Sequence, residues 1–140
     1  MGVKKPPPLV HGRSSMDIRI RKLEEKIEET DGFRIYVERR WPNNMEHEEG
    51  CIDLWLKDIA PGEGSQAWFS GKPDRWPEFE CGYFGELDDH MAELGKILEK
   101  SGQGTVTLLY DQGTTEHNAA VAIKDYIESH KDILRGRAAA

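Results

Sequence analysis

The apolar residues of the chain recur at two different periods, and each period predicts a different kind of element. Ile18 and Ile20 alternate with arginines, and the apolar side chains of residues 33–37 alternate with polar ones in the same way. Such alternation is typical of a strand with one buried face. Residues 105–110 (Thr-Val-Thr-Leu-Leu-Tyr) instead suit a strand that is buried on both faces, as in a parallel sheet.

Apolar residues at helical spacing lie between the second and third of these strands. They predict a helix over residues 52–59, a short aromatic turn over 66–69, a helix capped by Asp74 and a helix along the apolar stripe of 87–98. A last helix is predicted from about residue 115 to residue 130. The elements therefore run strand, crossover, strand, helical block, strand and helix.

This order predicts an α/β fold with a small, mostly parallel sheet of three or four strands flanked by helices. A helical block between two strands suits a parallel crossover connection. Four aromatic side chains are expected to form one cluster that covers the sheet: Trp55, Trp68, Phe69 and Trp76.

The two ends of the chain differ in composition from its middle. Residues 1–15 contain three consecutive prolines and a linker-like Gly-Arg-Ser-Ser, and the last six residues are Arg-Gly-Arg-Ala-Ala-Ala. We therefore predict disordered tails over 1–15 and 132–140 and a single α/β domain over 16–131.

Composition narrows the classes of function. The net charge of −7 argues against a general nucleic-acid binder, because phosphate contacts need a basic face. No apolar run approaches membrane-spanning length, and no apolar segment follows the basic residues near the N-terminus, so we expect neither a membrane protein nor a secreted one. Cys51 and Cys81 lie far apart and are expected to be free thiols in a reducing compartment, which favours the cytoplasm.

The residues after the third strand are the first candidates for a functional site. Asp111 is assigned to the turn, and Thr114 is expected to cap the last helix, with Glu116 in its first turn. His117 and Asn118 would then lie at the helix start, just beyond the carboxyl end of the strand.

Ligands of open α/β sheets bind at the carboxyl ends of the strands. We therefore predict that Tyr110, Glu116 and Asn118 contact a ligand and that His117 serves as acid or base if chemistry occurs.

Arg39 and Trp41 follow the second predicted strand and are also assigned to the ligand site. If the second and third strands are parallel neighbours, Arg39 and His117 face one crevice. Together with Asn118 they would hold a phosphate or carboxylate group.

Each of these residues also has a purely structural interpretation. Arg39 is equally suited to a salt bridge to Glu116 or Glu86 that fastens two loops. Asn118 can tie the turn together, with His117 as a surface residue.

An acidic segment at residues 46–49, which contains His47, is followed by Cys51. It lacks the His-Glu-X-X-His spacing that places two histidines on one helical face, so we interpret it as a solvated loop and predict no metal site. No glycine-rich phosphate loop follows a strand, and no Ser-His-Asp or Cys-His nucleophile stands out. We therefore predict no cofactor.

Four motifs occur in a characteristic order along the chain. They are Tyr-Val-Glu-Arg-Arg-Trp-Pro at 36–42, Asp-Leu-Trp-Leu-Lys-Asp-Ile-Ala-Pro at 53–61, Trp-Phe followed by Pro-Asp-Arg-Trp within 68–76, and Val-Thr-Leu-Leu-Tyr followed by Glu-His-Asn within 106–118. In this order they resemble the YeaO-like family, a domain of unknown function. The resemblance covers about residues 18–129 and implies a small cytoplasmic α/β domain, but it brings no established activity.

The chain departs from the family pattern where the relatives carry basic residues. Asn43 and Asn44 stand where the family has arginine and glycine, and Glu-Cys-Gly at 80–82 replaces part of an arginine-rich run. If those arginines form an anion site in the relatives, most of that site is replaced here.

Two functions therefore stay open. The first is binding, with or without chemistry, of a small anionic ligand such as phosphate, a nucleotide or a phosphorylated metabolite at the strand ends. The second is a non-catalytic structural or protein-interaction domain whose aromatic surface serves self-association. The sequence does not fix the oligomeric state.

Overall fold

The computed structural model describes residues 17–41 and 52–139. Four strands form one sheet: β1 (Ile18–Lys22), β2 (Phe33–Tyr36), β3 (Leu54–Trp55) and β4 (Val106–Tyr110). Every pairing is parallel, and the order across the sheet is β1-β4-β2-β3. The predicted small, parallel α/β sheet is confirmed. The predicted tail at 1–15 and the acidic segment at 46–49 lie outside the described residues.

Five helices accompany the sheet in the described part of the chain. They are α1 (Glu63–Phe69), α2 (Trp76–Leu87), α3 (Met91–Gln103), α4 (Ala119–Ser129) and α5 (Lys131–Ala139). Short 3-10 turns occur at Glu29–Asp31, Lys57–Ile59, Pro73–Arg75 and Asp88–His90. Within the described ranges, none of the helices combines the length and the apolar character that crossing a membrane requires.

The main core lies between one face of the sheet and the helices. Ile35 and Leu108 are fully buried there and belong to one cluster with Leu94 of α3 and Ile123 of α4. These residues explain the alternation in β2, because every second side chain of a strand points to the same face.

The opposite face of the sheet is covered by the crossover segment, residues 23–31, which connects β1 to β2. Leu23 packs against Tyr36 and Leu109 on this face. The Thr107 hydroxyl donates to the Asp31 carbonyl at 2.6 Å, so the segment also contacts the middle of β4. Both faces of β4 are therefore buried, as predicted for this segment.

A buried ion pair lies beneath the crossover segment. The Arg34 guanidinium donates to the Asp31 carboxylate, and only 3% and 2% of these two residues is exposed. Arg21 approaches the same carboxylate at 3.6 Å, and the Glu28 N–H donates to it at 3.1 Å. The polar side of β2 is thus covered by protein rather than by solvent.

The prediction of a helix over 52–59 was wrong. The structure has β3 there, in register with β2 at Ile35 and Tyr36 and followed by a single 3-10 turn. The Asp53 N–H donates to the Arg34 carbonyl at 2.8 Å, and the Leu56 N–H donates to the Tyr36 carbonyl at 3.0 Å. The edge of β2 has backbone carbonyls that accept hydrogen bonds from the residues that flank β3. A helix over 52–59 would leave these carbonyls without a strand partner.

Two cap predictions also differ from the structure. Asp74 lies inside a 3-10 turn, and α2 begins at Trp76 without a side-chain cap. The last helix begins at Ala119, so Asn118 is its N-cap in place of Thr114, and Glu116 precedes the helix. Asn and Thr have similar capping preferences, so the sequence did not distinguish the two positions. The aromatic turn predicted at 66–69 is part of α1.

The structure has a helix where a disordered tail was predicted over 132–140. Helix α5 runs to Ala139, and Leu134 is fully buried in the main core. The Leu134 N–H donates to the His130 carbonyl at 3.0 Å, which links α5 to the end of α4. One buried leucine in a polar segment is too weak a pattern to predict such packing.

Candidate functional site

A cleft with a volume of about 770 Å³ opens at the carboxyl ends of β2 and β4. Four of the residues predicted for a ligand site line it, namely Arg39, Trp41, His117 and Asn118. Because β2 and β4 are parallel neighbours, the segments that follow them meet at the same edge of the sheet, as was expected.

Two other residues predicted for the site are placed elsewhere. Tyr110 is buried in the core between the sheet and the helices. Glu116 is exposed in the loop before α4. Neither of them lines the cleft.

The loop of residues 111–118, here called the β4–α4 loop, forms one wall of the cleft. Asn118 Oδ1 accepts the Val121 N–H at 3.0 Å, which caps α4, and its Nδ2 donates to the Thr114 carbonyl at 2.8 Å. Gly113 has a φ of +105°, and a Cβ there would collide with the His117 carbonyl. The loop is thus held in one conformation by its own side chains.

Glu38 joins this loop to β2. Its Oε2 accepts the backbone N–H groups of Asp111 at 2.8 Å and Gln112 at 2.9 Å, and the Gln66 side chain also hydrogen bonds to it. The carboxyl is almost completely buried. Burial raises the pKa of Glu38, although these three hydrogen bonds act in the opposite direction.

Arg39 fixes the opposite wall. Its Nη2 donates to the carbonyls of Ala60 at 3.1 Å and Pro61 at 3.2 Å. The alternative interpretation, in which Arg39 forms a salt bridge to Glu86 or Glu116, was wrong. Its guanidinium hydrogen bonds to backbone carbonyls and not to a carboxylate. Arg39 is otherwise exposed and lines the cleft.

Two further side chains hold the same segment, residues 59–62, from α2. The Tyr83 hydroxyl donates to the Ile59 carbonyl, and Glu86 accepts the Gly62 N–H at 3.0 Å. Burial, with the charges of Glu38 and Glu86, raises the pKa of Tyr83. Arg39 is therefore one of three side chains that fix this wall.

His117 packs against aromatic rings. Its ring stacks on Trp76 with centroids 4.8 Å apart, and the Phe69 ring meets it edge-on at 6.1 Å. Phe79 continues this group at 5.4 Å from Trp76. These rings form an apolar back wall at the junction of α1, α2 and the β4–α4 loop.

The four aromatic residues expected to form one cluster divide among three places. Phe69 and Trp76 belong to the back wall, while Trp55 packs with Trp41 on the far side of β2, with centroids 5.0 Å apart. Trp68 is exposed beneath the Arg75 guanidinium. The prediction of one cluster was wrong because the sheet separates Trp55 from Phe69 and Trp76, and Trp68 lies on the exposed side of α1.

Comparison with known proteins identifies the family. The family model described as "Inactive DUF488-N3 subclade" matches residues 17–137. The chain belongs to this family.

Two uncharacterised relatives agree with that assignment. The chain is 29% identical over 114 residues to Escherichia coli protein YeaO, which covers 81% of this chain and 99% of YeaO. It is 32% identical over 90 residues to a Mycobacterium bovis protein, which covers 64% of this chain and 75% of the relative. The predicted YeaO-like membership is therefore confirmed. No solved structure matches the chain.

In this DUF488-N3 chain, the cleft contains three polar groups that the sequence did not mark as site residues. Tyr36, Glu38 and Gln66 all line it. Tyr36 and Glu38 occupy the polar positions of an alternating strand, so they were interpreted as solvent-facing. Leu23 of the crossover segment packs against Tyr36, whereas the β4–α4 loop and Gln66 cover Glu38.

Metal binding receives no support from the described part of this DUF488-N3 chain. Within residues 17–41 and 52–139, no three His, Cys, Asp or Glu side chains lie close enough together to hold a metal ion. The cleft is lined by hydrogen-bonding groups, aromatic rings and two arginines, Arg39 and Arg40.

Proposed function

We propose that this protein binds a small ligand carrying a phosphate or carboxylate group in the cleft, without catalysing a reaction. The supporting observation is the orientation and the hydrogen bonding of the Arg39 guanidinium. Two carbonyls orient its guanidinium through Nη2, and among the described residues nothing hydrogen bonds to its Nε or Nη1. An arginine that is already oriented loses little entropy when it binds an oxyanion through two N–H groups.

The placement and size of the cleft support the same proposal. Small-molecule sites typically enclose roughly 300–1,000 Å³, and the cleft has a volume of about 770 Å³. It lies at the carboxyl ends of parallel strands, where open α/β sheets bind their ligands. A nucleotide or a phosphorylated metabolite has a suitable size.

The surroundings of His117 argue against catalysis. A histidine that acts as a general base is normally oriented by a second polar group. In the described part of the chain, the His117 ring contacts aromatic rings and hydrogen bonds to no carboxylate or hydroxyl. The description of the family as an inactive subclade agrees with a binding role.

A structural role is the second candidate function. Residues 59–62 are fixed by three side chains, Arg39, Tyr83 and Glu86. In this case the role of Arg39 would be to stabilise that segment. Exposed aromatic rings at Trp41 and Trp68 would then serve protein contacts.

A thermal-shift series separates the two functions. The probes are inorganic phosphate and adenosine monophosphate, with the wild type, Arg39→Lys and Arg39→Ala. Arg19→Ala is the matched control, because Arg19 is an exposed arginine of β1 that pairs with Asp17. Ligand at ten times its Kd should raise the wild-type melting temperature by about 5 °C.

The binding proposal predicts that the shift disappears in Arg39→Ala, shrinks in Arg39→Lys and persists in Arg19→Ala. A wild type that responds to neither probe, combined with a large loss of melting temperature in Arg39→Ala, would overturn binding and support the structural role.

A further inference from the structure

The wall of the cleft opposite Arg39 contains three acidic or hydroxyl side chains. Tyr36, Glu38 and Asp111 line it together. In the described part of the chain, no lysine or arginine forms an ion pair with either carboxylate. The β4–α4 loop instead satisfies Glu38 with backbone N–H groups, which supply no positive charge.

The Tyr36 hydroxyl is a second, independent feature of this wall. Only 1% of Tyr36 is exposed, yet its hydroxyl hydrogen bonds to no described residue. Burial and then the charges of Asp111 and Glu38 raise the pKa of Tyr36, so the hydroxyl lies within electrostatic reach of both carboxylates. Tyr36 lines the cleft, so this hydroxyl is available to hydrogen bond to a ligand.

Aromatic rings border the same place. The Trp41 ring meets the Tyr36 ring edge-on, with centroids 6.4 Å apart, and 37% of Trp41 is exposed. Faces of tryptophan and tyrosine rings attract cations. Carboxylates, an open hydroxyl and ring faces together suit a positively charged group that donates hydrogen bonds.

We propose that Tyr36, Glu38 and Asp111 form a subsite for a cationic amino group, so that the ligand carries an ammonium as well as the anion held by Arg39. This inference rests on the proposed function, because it places both groups of one ligand in one cleft. Glu38 reaches the loop after β4, whereas Arg39 reaches residues 60 and 61. The two charges of the ligand would therefore contact opposite walls.

Two phosphate esters of the same size test the subsite. Phosphoethanolamine carries an ammonium, and ethyl phosphate differs from it by lacking that group. Inorganic phosphate and ethanolamine serve as probes of each charge alone. Binding is followed by the NMR shifts of the Asp111 and Gln112 amides, and we expect phosphoethanolamine to bind about tenfold more tightly than ethyl phosphate.

Three variants assign that preference to residues. Asp111→Asn removes one charge and keeps the backbone N–H that donates to Glu38, and Tyr36→Phe removes only the hydroxyl. Both should reduce the preference for the ammonium to about threefold or less. Asp132→Asn changes an exposed acid of α5 and should leave the preference unchanged.

Each outcome separates the subsite from the anion site. Equal binding of the two esters overturns the subsite and leaves the proposed function intact. Binding of ethanolamine that is lost in Asp111→Asn, with no binding of phosphate or ethyl phosphate, supports the subsite and overturns anion binding. Failure of all four probes to bind overturns both.

Discussion

Asp31 and Glu38 are buried to the same degree but have different partners. They expose 2% and 4% of their surfaces, respectively. Asp31 lies under the crossover segment, where Arg34 and Arg21 supply positive charge. Glu38 lies at the edge of the cleft and accepts only N–H groups, two from the backbone and one from Gln66.

This difference separates a carboxylate that is paired with guanidinium groups from one that is contacted only by N–H groups at the wall of the cleft. The guanidinium groups of Arg34 and Arg21 compensate the negative charge of the Asp31 carboxylate. Around Glu38 the N–H dipoles stabilise the carboxylate without cancelling its charge, and burial still raises its pKa.

The largest expected loss of stability comes from breaking the buried ion pair between Arg34 and Asp31. Arg34→Met would leave Asp31 buried without its main partner, and such uncompensated charges destabilise proteins by about 3–5 kcal/mol. Urea unfolding at pH 7 measures the loss. Asp31→Asn combined with Arg34→Met removes both charges and should restore part of the stability. A loss below about 1 kcal/mol in the single variant would show that Arg34 is not needed to compensate Asp31.

Removal of the carboxylate at the cleft should have a smaller effect. Glu38→Ala would leave the Asp111 and Gln112 N–H groups without their acceptor, at a cost of about 2 kcal/mol. These two amides should also exchange with deuterium faster, while the Val121 amide of α4 keeps its protection. Glu63→Ala, an exposed acid that also lines the cleft, should change stability by less than about 0.5 kcal/mol. Unchanged exchange at Asp111 would contradict the role of Glu38.

Variants of Asn118, the N-cap of α4, test whether this residue stabilises the β4–α4 loop in addition to Glu38. Asn118→Ala removes the acceptor of the Val121 N–H and should destabilise the protein by about 1 kcal/mol. Asn118→Asp keeps that acceptor but loses the donor to the Thr114 carbonyl. We expect Asn118→Asp to retain most of the stability measured by thermal unfolding, and an equal loss in both variants would show that the turn matters more than the cap.

The smallest effect concerns a third carboxyl, Glu80, whose neighbour Asp125 is itself an acid. Burial, then a hydrogen bond and the charge of Asp125, raises the pKa of Glu80 from 4.5 to about 7. Because the folded state holds this proton more tightly, the stabilisation is complete below pH 4.5 and is lost as the pH rises through about 7. Glu80 is partly exposed, so we expect the change to be less than about 1 kcal/mol.

Unfolding of Glu80→Gln at pH 5 and pH 8 checks this prediction. The variant should lose part of the difference in stability between the two pH values, whereas Glu78→Gln, an exposed acid of the same helix, should keep it. An identical pH profile in Glu80→Gln and the wild type would refute the effect.

The sequence predicted the elements whose patterns are local and strong. β1, β2 and β4 follow from alternation and from one continuous apolar run. β3 and α5 did not follow, because each depends on distant partners. Leu54 is a strand residue only because Ile35 of β2 pairs with it, and Leu134 is a core residue only because the end of α4 directs it inward.

The site could be predicted in part for the same reason. Arg39 and His117 follow strands directly, and the parallel arrangement places them at one edge of the sheet. Glu38 gave no comparable signal, since its two backbone partners, Asp111 and Gln112, lie more than seventy positions away. The burial of Tyr36 depends likewise on a contact between separate segments, because Leu23 of the crossover segment packs against it.

The position of β4 in the sheet has a consequence for biosynthesis. β4 lies between β1 and β2, although it is the last of the four strands to leave the ribosome. Until then β1 has no partner strand, and only the short β2–β3 pairing can form. Helices α1 to α3 are therefore synthesised before the sheet can form, and the sheet and its cleft can assemble only after Tyr110 has left the ribosome.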